Sequence, residues 1–105
     1  GSGSMEVFAT PAMIALMEQT AYNSVMSLLP EEWTTVGTEL HIEHCKATPL
    51  STKVRCESVL NKVEGRKLIF ILTVYDEEDI IGKGTHVRCI VNTEKFLDKL
   101  KQRKE

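Results

Sequence analysis

The sequence predicts a single α+β domain, in which one long central helix is wrapped by an antiparallel sheet of about four strands and a short C-terminal helix follows. An apolar run of helix-forming residues over 10–29 indicates the long helix. Alternation of apolar and polar residues indicates four consecutive strands, at 35–47, 52–63, 67–76 and 80–91. A helix followed by consecutive strands is typical of this class. The domain is expected over 5–105, because the Gly-Ser-Gly-Ser stretch at 1–4 resembles a remnant of expression.

The long helix, TPAMIALMEQTAYNSVMSLL, has a marked start and end. The Thr10 hydroxyl can cap the free N–H groups of the first turn, and Pro11 is tolerated at the first helical position. Leu28, Leu29 and Pro30 close the helix. At helical spacing Glu18 falls in the middle of an apolar face formed by Ile14, Ala21, Tyr22 and Val25. Core packing is expected for Met13, Met17 and Met26.

The first two strands each separate an apolar face from a charged one. In 35–47 the apolar set is Val36, Leu40 and Ile42, opposed to Glu39, His41 and Glu43. His44 falls on the apolar face, where an imidazole loses contact with water and its charged form becomes costly. In 52–63 the apolar set is Val54, Cys56 and Leu60, opposed to Lys53, Arg55 and Glu57. Glu-Gly-Arg at 64–66 predicts a hairpin turn.

The third strand, 67–76, is apolar on both faces, with Leu68, Phe70, Leu72 and Val74 alternating with Ile69, Ile71 and Tyr75. One face can cover the central helix, and the other requires a second layer, which predicts an oligomer contact beyond a basic dimer. In the fourth strand Gly82 and Gly84 leave room for close approach of backbone or ligand. An amphipathic helix from Asn92 carries Phe96, Leu97 and Leu100.

Composition excludes several classes of function. The net charge of −2, from 13 basic and 15 acidic residues, gives no field that favours nucleic acid or an anionic membrane. No apolar run approaches the length of a membrane span. Three cysteines, Cys45, Cys56 and Cys89, form no disulfide framework and favour a reducing compartment, so we expect the cytosol. A zinc site is disfavoured because His41 and His44 point to opposite faces of a strand.

Each candidate functional residue also has a plain structural interpretation. Thr10 could serve only as a helix cap, and Glu18 could be a satisfied core carboxylate or face a dimer partner. His44 could be a core histidine with a backbone partner. His86 and Arg88 share a face of the fourth strand and could simply be solvated. The residues alone leave these alternatives open.

Several motifs together resemble the fluoroacetyl-CoA thioesterase type of hotdog-fold acyl-CoA thioesterase. They are FATPAMIALMEQTA, TTVGTELHIEHCKATP, VEGRKLIF, IGKGTHVRCIV and EKFLDKL, and the resemblance covers nearly all of residues 7–100. It implies the hotdog fold, hydrolysis of a small acyl-CoA thioester, and no cofactor or metal, since coenzyme A belongs to the substrate. It also implies a homodimer, or a higher homo-oligomer, with sites at the subunit boundary.

The resemblance implies roles for five residues. Thr10, Glu18 and His44 match the catalytic set, the backbone N–H of Gly37 helps to polarise the thioester carbonyl, and Arg88 lines the site. Thioester hydrolysis needs a nucleophile or activated water, a proton shuttle and donors for the oxyanion, which these groups can supply. Whether Thr10 attacks with His44 as base, or Glu18 attacks or orients water, stays open.

The chain departs from the family pattern in one respect. Relatives carry an additional N-terminal segment that provides a first strand and aromatic lid residues over the acyl pocket, and we expect this chain to lack it. A preference for fluoroacetyl-CoA is therefore not carried over. The alternative function is a non-catalytic hotdog module for dimerisation or acyl-CoA binding. A hotdog hydratase is disfavoured because the chain has no Asp-x-x-x-x-His signature.

Overall fold

The computed structural model describes residues 9–49 and 52–104. In chain order the elements are α1 (Thr10–Met26), β1 (Trp33–His44), β2 (Arg55–Glu64), β3 (Lys67–Tyr75), β4 (Ile80–Asn92) and α2 (Thr93–Lys104). The four strands form one antiparallel sheet in the order β1-β4-β3-β2. The predicted α+β class is confirmed. The expectation for residues 1–8 lies outside the described residues.

The ends of α1 differ from the prediction. Ala9 occupies the N-cap position in an extended conformation, no described side chain makes a capping hydrogen bond there, and Thr10 is already helical. The predicted capping role of Thr10 is therefore wrong, because its hydroxyl is engaged elsewhere. The helix ends at Met26, three residues early, where the amides of Leu28 and Leu29 bond to carbonyls three residues back. Pro30 also disfavours a helical conformation at the residue before it.

The core lies between α1 and one face of the sheet. From α1 it takes Met13, Met17, Ala21 and Val25, and from the strands Leu68, Phe70, Leu72, Val74 and Ile81. The buried stripe of the helix is thus rotated from the predicted face towards the two methionines. Ile14, Tyr22 and Met26 are only half-buried, as is Glu18 beside the stripe. None of the described helices is long and apolar enough to cross a membrane.

A β-bulge in β1 changes which residues face the helix. Gly37 lies opposite Arg88 and Glu39 lies opposite Val87, so Thr38 is an extra residue in the ladder. Leu40, Ile42 and His44 face α1, whereas Val36 lies on the opposite, open face of the sheet. The prediction that Val36 shares a face with Leu40 is wrong, because the bulge reverses the alternation. Before the bulge, Thr35 and Gly37 face the helix instead.

The predicted faces of β2 and β3 are present, although the pairing register shifts between Leu60 and Lys62 in β2 and at Val74 and Tyr75 in β3. Buried side chains of β3 face α1, while Ile69, Ile71 and Tyr75 lie on the open face, where Ile71 is 41% exposed. The hairpin between β2 and β3 has Gly65 at φ 61°, as a tight turn requires. Asn92 caps α2 through its side-chain oxygen, which accepts the N–H of Lys95 at 3.0 Å. His86 and Arg88 are buried on the helix side of β4 and are not solvated.

Candidate active site

Thr10 and His44 form the first part of the site. The Thr10 Oγ1 atom lies 2.9 Å from Nδ1 of His44, although 34 residues separate them in the chain. The start of α1 supplies the hydroxyl, and the end of β1 supplies the imidazole. His44 Nε2 is buried and has no hydrogen-bond partner among the described residues. A hydroxyl paired with an imidazole is the arrangement that activates a nucleophile or a water molecule.

Glu18, Gly37 and Arg88 form the second part of the site. A Cβ atom placed on Gly37 would lie 3.3 Å from Glu18 Oε2 and 3.3 Å from Arg88 Nη1. Both side chains therefore converge on the backbone of Gly37, which the absence of a side chain leaves open. Glu18 and Arg88 also line an open pocket of about 400 Å³, together with Ala15, Gln19 and Tyr22. Of the five predicted site residues, the structure brings Glu18, Gly37 and Arg88 together here, apart from Thr10 and His44.

Arg88 is held by the strand next to it. Its Nε donates to Thr35 Oγ1 at 2.8 Å and its Nη2 donates to the Thr35 carbonyl at 2.9 Å. The guanidinium carbon lies 5.5 Å from the centre of the Tyr22 ring. Burial lowers the pKa of Arg88 from its ordinary value, and the nearby Glu18 and Tyr22 act in the opposite direction. Because arginine has such a high intrinsic pKa, the guanidinium still carries its charge into the site.

His86 is a buried neighbour of Arg88 on β4. Its ring is 1% exposed, with Nδ1 2.8 Å from the Glu39 carbonyl and Nε2 3.1 Å from Arg88 Nη1. From the sequence His86 has a solvated interpretation as well as a functional one, and neither Thr35 nor Tyr22 is a candidate site residue. Thr35 could not have been found from alternation, because the bulge at Thr38 moves it to the helix side. The His-x-Arg spacing on β4 was the available signal for His86.

Within one chain the two parts of the site are far apart. Thr10 and Glu18 are eight residues apart on α1, which corresponds to about 12 Å along the helix axis. Gly37 and His44 are separated by roughly 20 Å along β1. Thr10 and His44 line their own shallow pocket with Cys45, Lys46 and Ala47. One thioester carbonyl cannot contact both parts in a single copy of the chain.

The described residues contain no cluster of His, Cys, Asp or Glu that could hold a metal ion. His41 lies on the open face of β1, opposite Thr85, while His44 lies on the helix face. The two histidines therefore lie on opposite faces of β1, as the alternation predicts. The three cysteines are free thiols. The chemistry available at the site is that of a hydroxyl, an imidazole, a carboxylate and a guanidinium.

Comparison with known proteins identifies the family. The family model of the fluoroacetyl-CoA-specific thioesterase FlK matches residues 1–94. The chain is 37% identical over 98 residues to the fluoroacetyl-CoA thioesterase of Streptantibioticus cattleyicolor, which corresponds to 93% of this chain and 70% of that protein.

Solved structures agree with this relationship. A point mutant of FlK superposes with a TM-score of 0.91 at 35% identity, covering 97% of this chain and 76% of the other. The same mutant in complex with fluoroacetate and CoA gives 0.91 at 35% identity, covering 99% and 81%. A hot-dog-like protein from Thermanaerovibrio acidaminovorans gives 0.89 at 22% identity, covering 93% and 73%, and shares the fold. The chain therefore has the hotdog fold and belongs to the fluoroacetyl-CoA-specific thioesterase family of thioester hydrolases.

Proposed function

We propose that the protein is a homodimeric acyl-CoA thioesterase that hydrolyses a small acyl-CoA thioester at a site shared by two copies of the chain. Family membership supports the thioester chemistry. The observation that carries the shared site is the separation of the Thr10–His44 pair from the Glu18–Gly37–Arg88 group within one chain. In a two-fold dimer each group of one copy can face the other group of its partner.

The Thr10–His44 pair supplies proton transfer. When Thr10 donates its hydroxyl proton to His44 Nδ1, the oxygen becomes able to attack a thioester carbonyl or to activate a water molecule. In the first route an ester forms on Thr10, coenzyme A leaves as the thiol after taking up the proton, and water then hydrolyses the ester. In the second route Glu18 attacks or orients water. Both routes stay open, and both release a carboxylic acid and free coenzyme A.

The Gly37 group supplies donors for the oxyanion. The N–H of Ile90 donates to the Arg66 carbonyl on the β3 side, so Thr35, opposite Ile90, directs its backbone groups away from β4. In a strand, residues two apart direct their backbone groups to the same side. Gly37 lies two residues after Thr35, so its N–H also points towards the free edge of β1. Arg88 has five N–H donors, of which three are engaged by Thr35 and His86. The remaining donors and the Gly37 amide support stabilisation of negative charge.

Subunit mixing tests the shared site. We expect Thr10→Ala, His44→Ala and Glu18→Gln each to lower acyl-CoA hydrolysis at least about 10²-fold, the usual size of a lost acid or base. A mixture of Thr10→Ala and Glu18→Gln chains should recover roughly a quarter of the wild-type activity, because half of the sites in mixed dimers are intact. A mixture of Thr10→Ala and His44→Ala chains is the matched control and should recover nothing, since both residues belong to the same group.

Other results would contradict the proposal. Full activity in Glu18→Gln would remove that carboxylate from the mechanism. Failure of the first mixture to recover activity, although mixed dimers form, would place the whole site within one chain. No release of thiol from any acyl-CoA by a folded dimer would favour the alternative of a non-catalytic acyl-CoA-binding module. The panel should vary acyl length and substituents and include acetyl-CoA and fluoroacetyl-CoA.

The proposed reaction uses side chains and backbone only, with coenzyme A entering as part of the substrate. The free thiols of Cys45, Cys56 and Cys89 support a reducing compartment, and we assign the protein to the cytoplasm on that basis.

A further inference from the structure

His86 is a buried histidine whose two ring nitrogens both have partners. The Glu39 carbonyl can only accept a hydrogen bond, so Nδ1 of His86 must carry the proton that it shares with this oxygen. Arg88 can only donate, so Nε2 of His86 must be the unprotonated acceptor of the Nη1 N–H. The partners therefore define one tautomer, and the ring is neutral in it.

The hydrogen bond between Arg88 and His86 uses the guanidinium nitrogen that lies nearest to Gly37. Nη1 is the guanidinium nitrogen that lies 3.3 Å from the position of a Cβ on Gly37, and Cε1 of His86 lies 3.1 Å from the same point. Thr35 fixes the other side of the guanidinium through Nε and Nη2. His86 and Thr35 together thus clamp the plane of the guanidinium, with Nη1 at the end nearest to Gly37 and Glu18.

We propose that His86 is a positioning residue that acts through Arg88: its neutral ring, fixed by the Glu39 carbonyl, orients Nη1 of Arg88 towards the reacting carbonyl. This role rests on the proposed function for its catalytic consequence, but not for its geometry. His86 is 1% exposed, and its two ring nitrogens are engaged by the Glu39 carbonyl and Arg88, so neither nitrogen is free to bind substrate. Without the bond to His86, the Nη1 end of the guanidinium can move. An N–H donor displaced by about 1 Å loses much of its effect on the transition state.

Two nearly isosteric variants separate the two hydrogen bonds of the ring. In His86→Gln the side-chain oxygen can take the place of Nε2 and accept from Arg88, while the contact with Glu39 is lost. In His86→Asn the amide can take the place of Nδ1 and donate to Glu39, while the contact with Arg88 is lost. His86→Leu removes both contacts. His41→Leu, an exposed histidine on the open face of the neighbouring strand, is the matched control.

We expect His86→Asn and His86→Leu to lower kcat at least about tenfold with little change in KM, because positioning acts on the transition state. His86→Gln and His41→Leu should retain most of the wild-type kcat. A purely structural role would make activity follow thermal stability, with the Asn and Gln variants alike. Equal kcat values for Asn and Gln variants of equal stability, or full activity in His86→Leu, would overturn the proposal.

Nitrogen NMR of the wild-type protein tests the geometry without any turnover. We expect a protonated Nδ1 and an unprotonated Nε2 for His86 near neutral pH, and a slowly exchanging Nε–H signal for Arg88 that persists in the Gln variant and weakens in the Asn variant. A protonated Nε2 in the neutral ring would overturn the proposal. If the protein hydrolysed no acyl-CoA, the proposed function would fail, whereas these signals would still decide the role of His86.

Discussion

Arg88 shows how a charged side chain can be kept in a nearly buried position. It is 7% exposed, and three of its N–H groups bond to Thr35 and His86. Lysine could not replace it, because one ammonium cannot span these acceptors in a fixed plane. Of the two donors that are left over, one is on Nη1, the nitrogen that lies 3.3 Å from the position of a Cβ on Gly37. Thr35 and His86 therefore hold the guanidinium in place, and its remaining N–H groups are available to bind an oxyanion.

Gly37→Ala should affect catalysis more than stability. The new methyl group would lie 3.1 to 3.3 Å from His86, Arg88 and Glu18, so these side chains must shift by a few tenths of an ångström. The backbone itself tolerates alanine, because Gly65 is the only described glycine with a positive φ. We expect kcat to fall at least about tenfold, in line with small displacements at a reacting centre, with only a slight change in Tm.

Gly65→Ala is the matched control for this prediction. Its Cβ would meet nothing within 4 Å, but its φ of 61° is unfavourable for alanine. It should cost about 1 kcal/mol of stability and leave kcat unchanged. A Gly37→Ala protein with wild-type kcat, measured by thiol release, would argue against a reacting carbonyl at this position.

Single residues were predictable where their chemistry conflicts with their surroundings. Glu18 and His44 stand out as polar groups on apolar faces, and the structure brings His44 to Thr10 and Glu18 to Gly37 and Arg88. The capping role of Thr10 was wrong because a hydroxyl can bond either the helix or a distant imidazole, and local sequence does not register the second partner. Thr35 was missed for the same reason, since its partner lies 53 residues away.

At the scale of elements, a glycine in β4 makes room for a side chain of α1. A Cβ on Gly82 would lie 2.7 Å from Met13 Cε and still nearer to its sulfur, so the glycine makes room for the methionine. Gly84 instead lies against the backbone of β1, where a Cβ would be 2.5 Å from the His41 carbonyl oxygen. The predicted close approach of backbone is therefore present at Gly84, whereas Gly82 accommodates the Met13 side chain instead of a backbone or a ligand.

The two glycines should respond differently to alanine. Gly82→Ala should lower the free energy of unfolding by about 1–3 kcal/mol, the usual cost of overpacking. Gly84→Ala should cost more, because the β1 backbone must move. In a Met13→Ala background the cost of Gly82→Ala should shrink while that of Gly84→Ala should not. Urea unfolding of the four variants and the background measures this coupling, and an unchanged cost for Gly82→Ala would contradict the proposed contact.

The predicted elements have the right type and order, and their ends are the least accurate part. β1 runs over Trp33–His44 where 35–47 was predicted, and α1 is three residues short at its C-terminus. Helix ends depend on the carbonyls that happen to be available, which sequence periodicity does not describe. The bulge in β1 was equally invisible, because a Gly-Thr pair inside an alternating strand is compatible with a regular ladder.

For the whole molecule, the open face of the sheet is an apolar surface that belongs neither to the core nor to the proposed site. It presents apolar side chains from all four strands, including Val36, Val59, Ile69, Ile71 and Val87. The sequence predicted two apolar faces for β3 and a second layer over one of them. Assembly beyond a dimer through this face stays a prediction, since only one copy of the chain is described.

Ile71→Lys tests that prediction. If the open face joins dimers, a charge at its centre should abolish species larger than a dimer, because an unpaired ammonium is costly to bury. Catalysis should persist, since the site lies on the helix side and at the edge of β1. Leu97→Lys on α2, where Leu97 is 57% exposed, is the matched control and should not change assembly. Light scattering over a range of concentrations measures the outcome, and a wild type that is dimeric throughout would rule out an interface on this face.

The extra residue in β1 also affects how this chain should be aligned with others. A homologue that lacks a counterpart of Thr38 keeps its strand continuous but inverts the inward and outward positions of everything before it. The residue equivalent to Val36 would then point at the helix, and the residue equivalent to Thr35, which holds Arg88 here, would point to the open face. A one-residue gap at this point is therefore a marker of altered chemistry, even where the surrounding letters match.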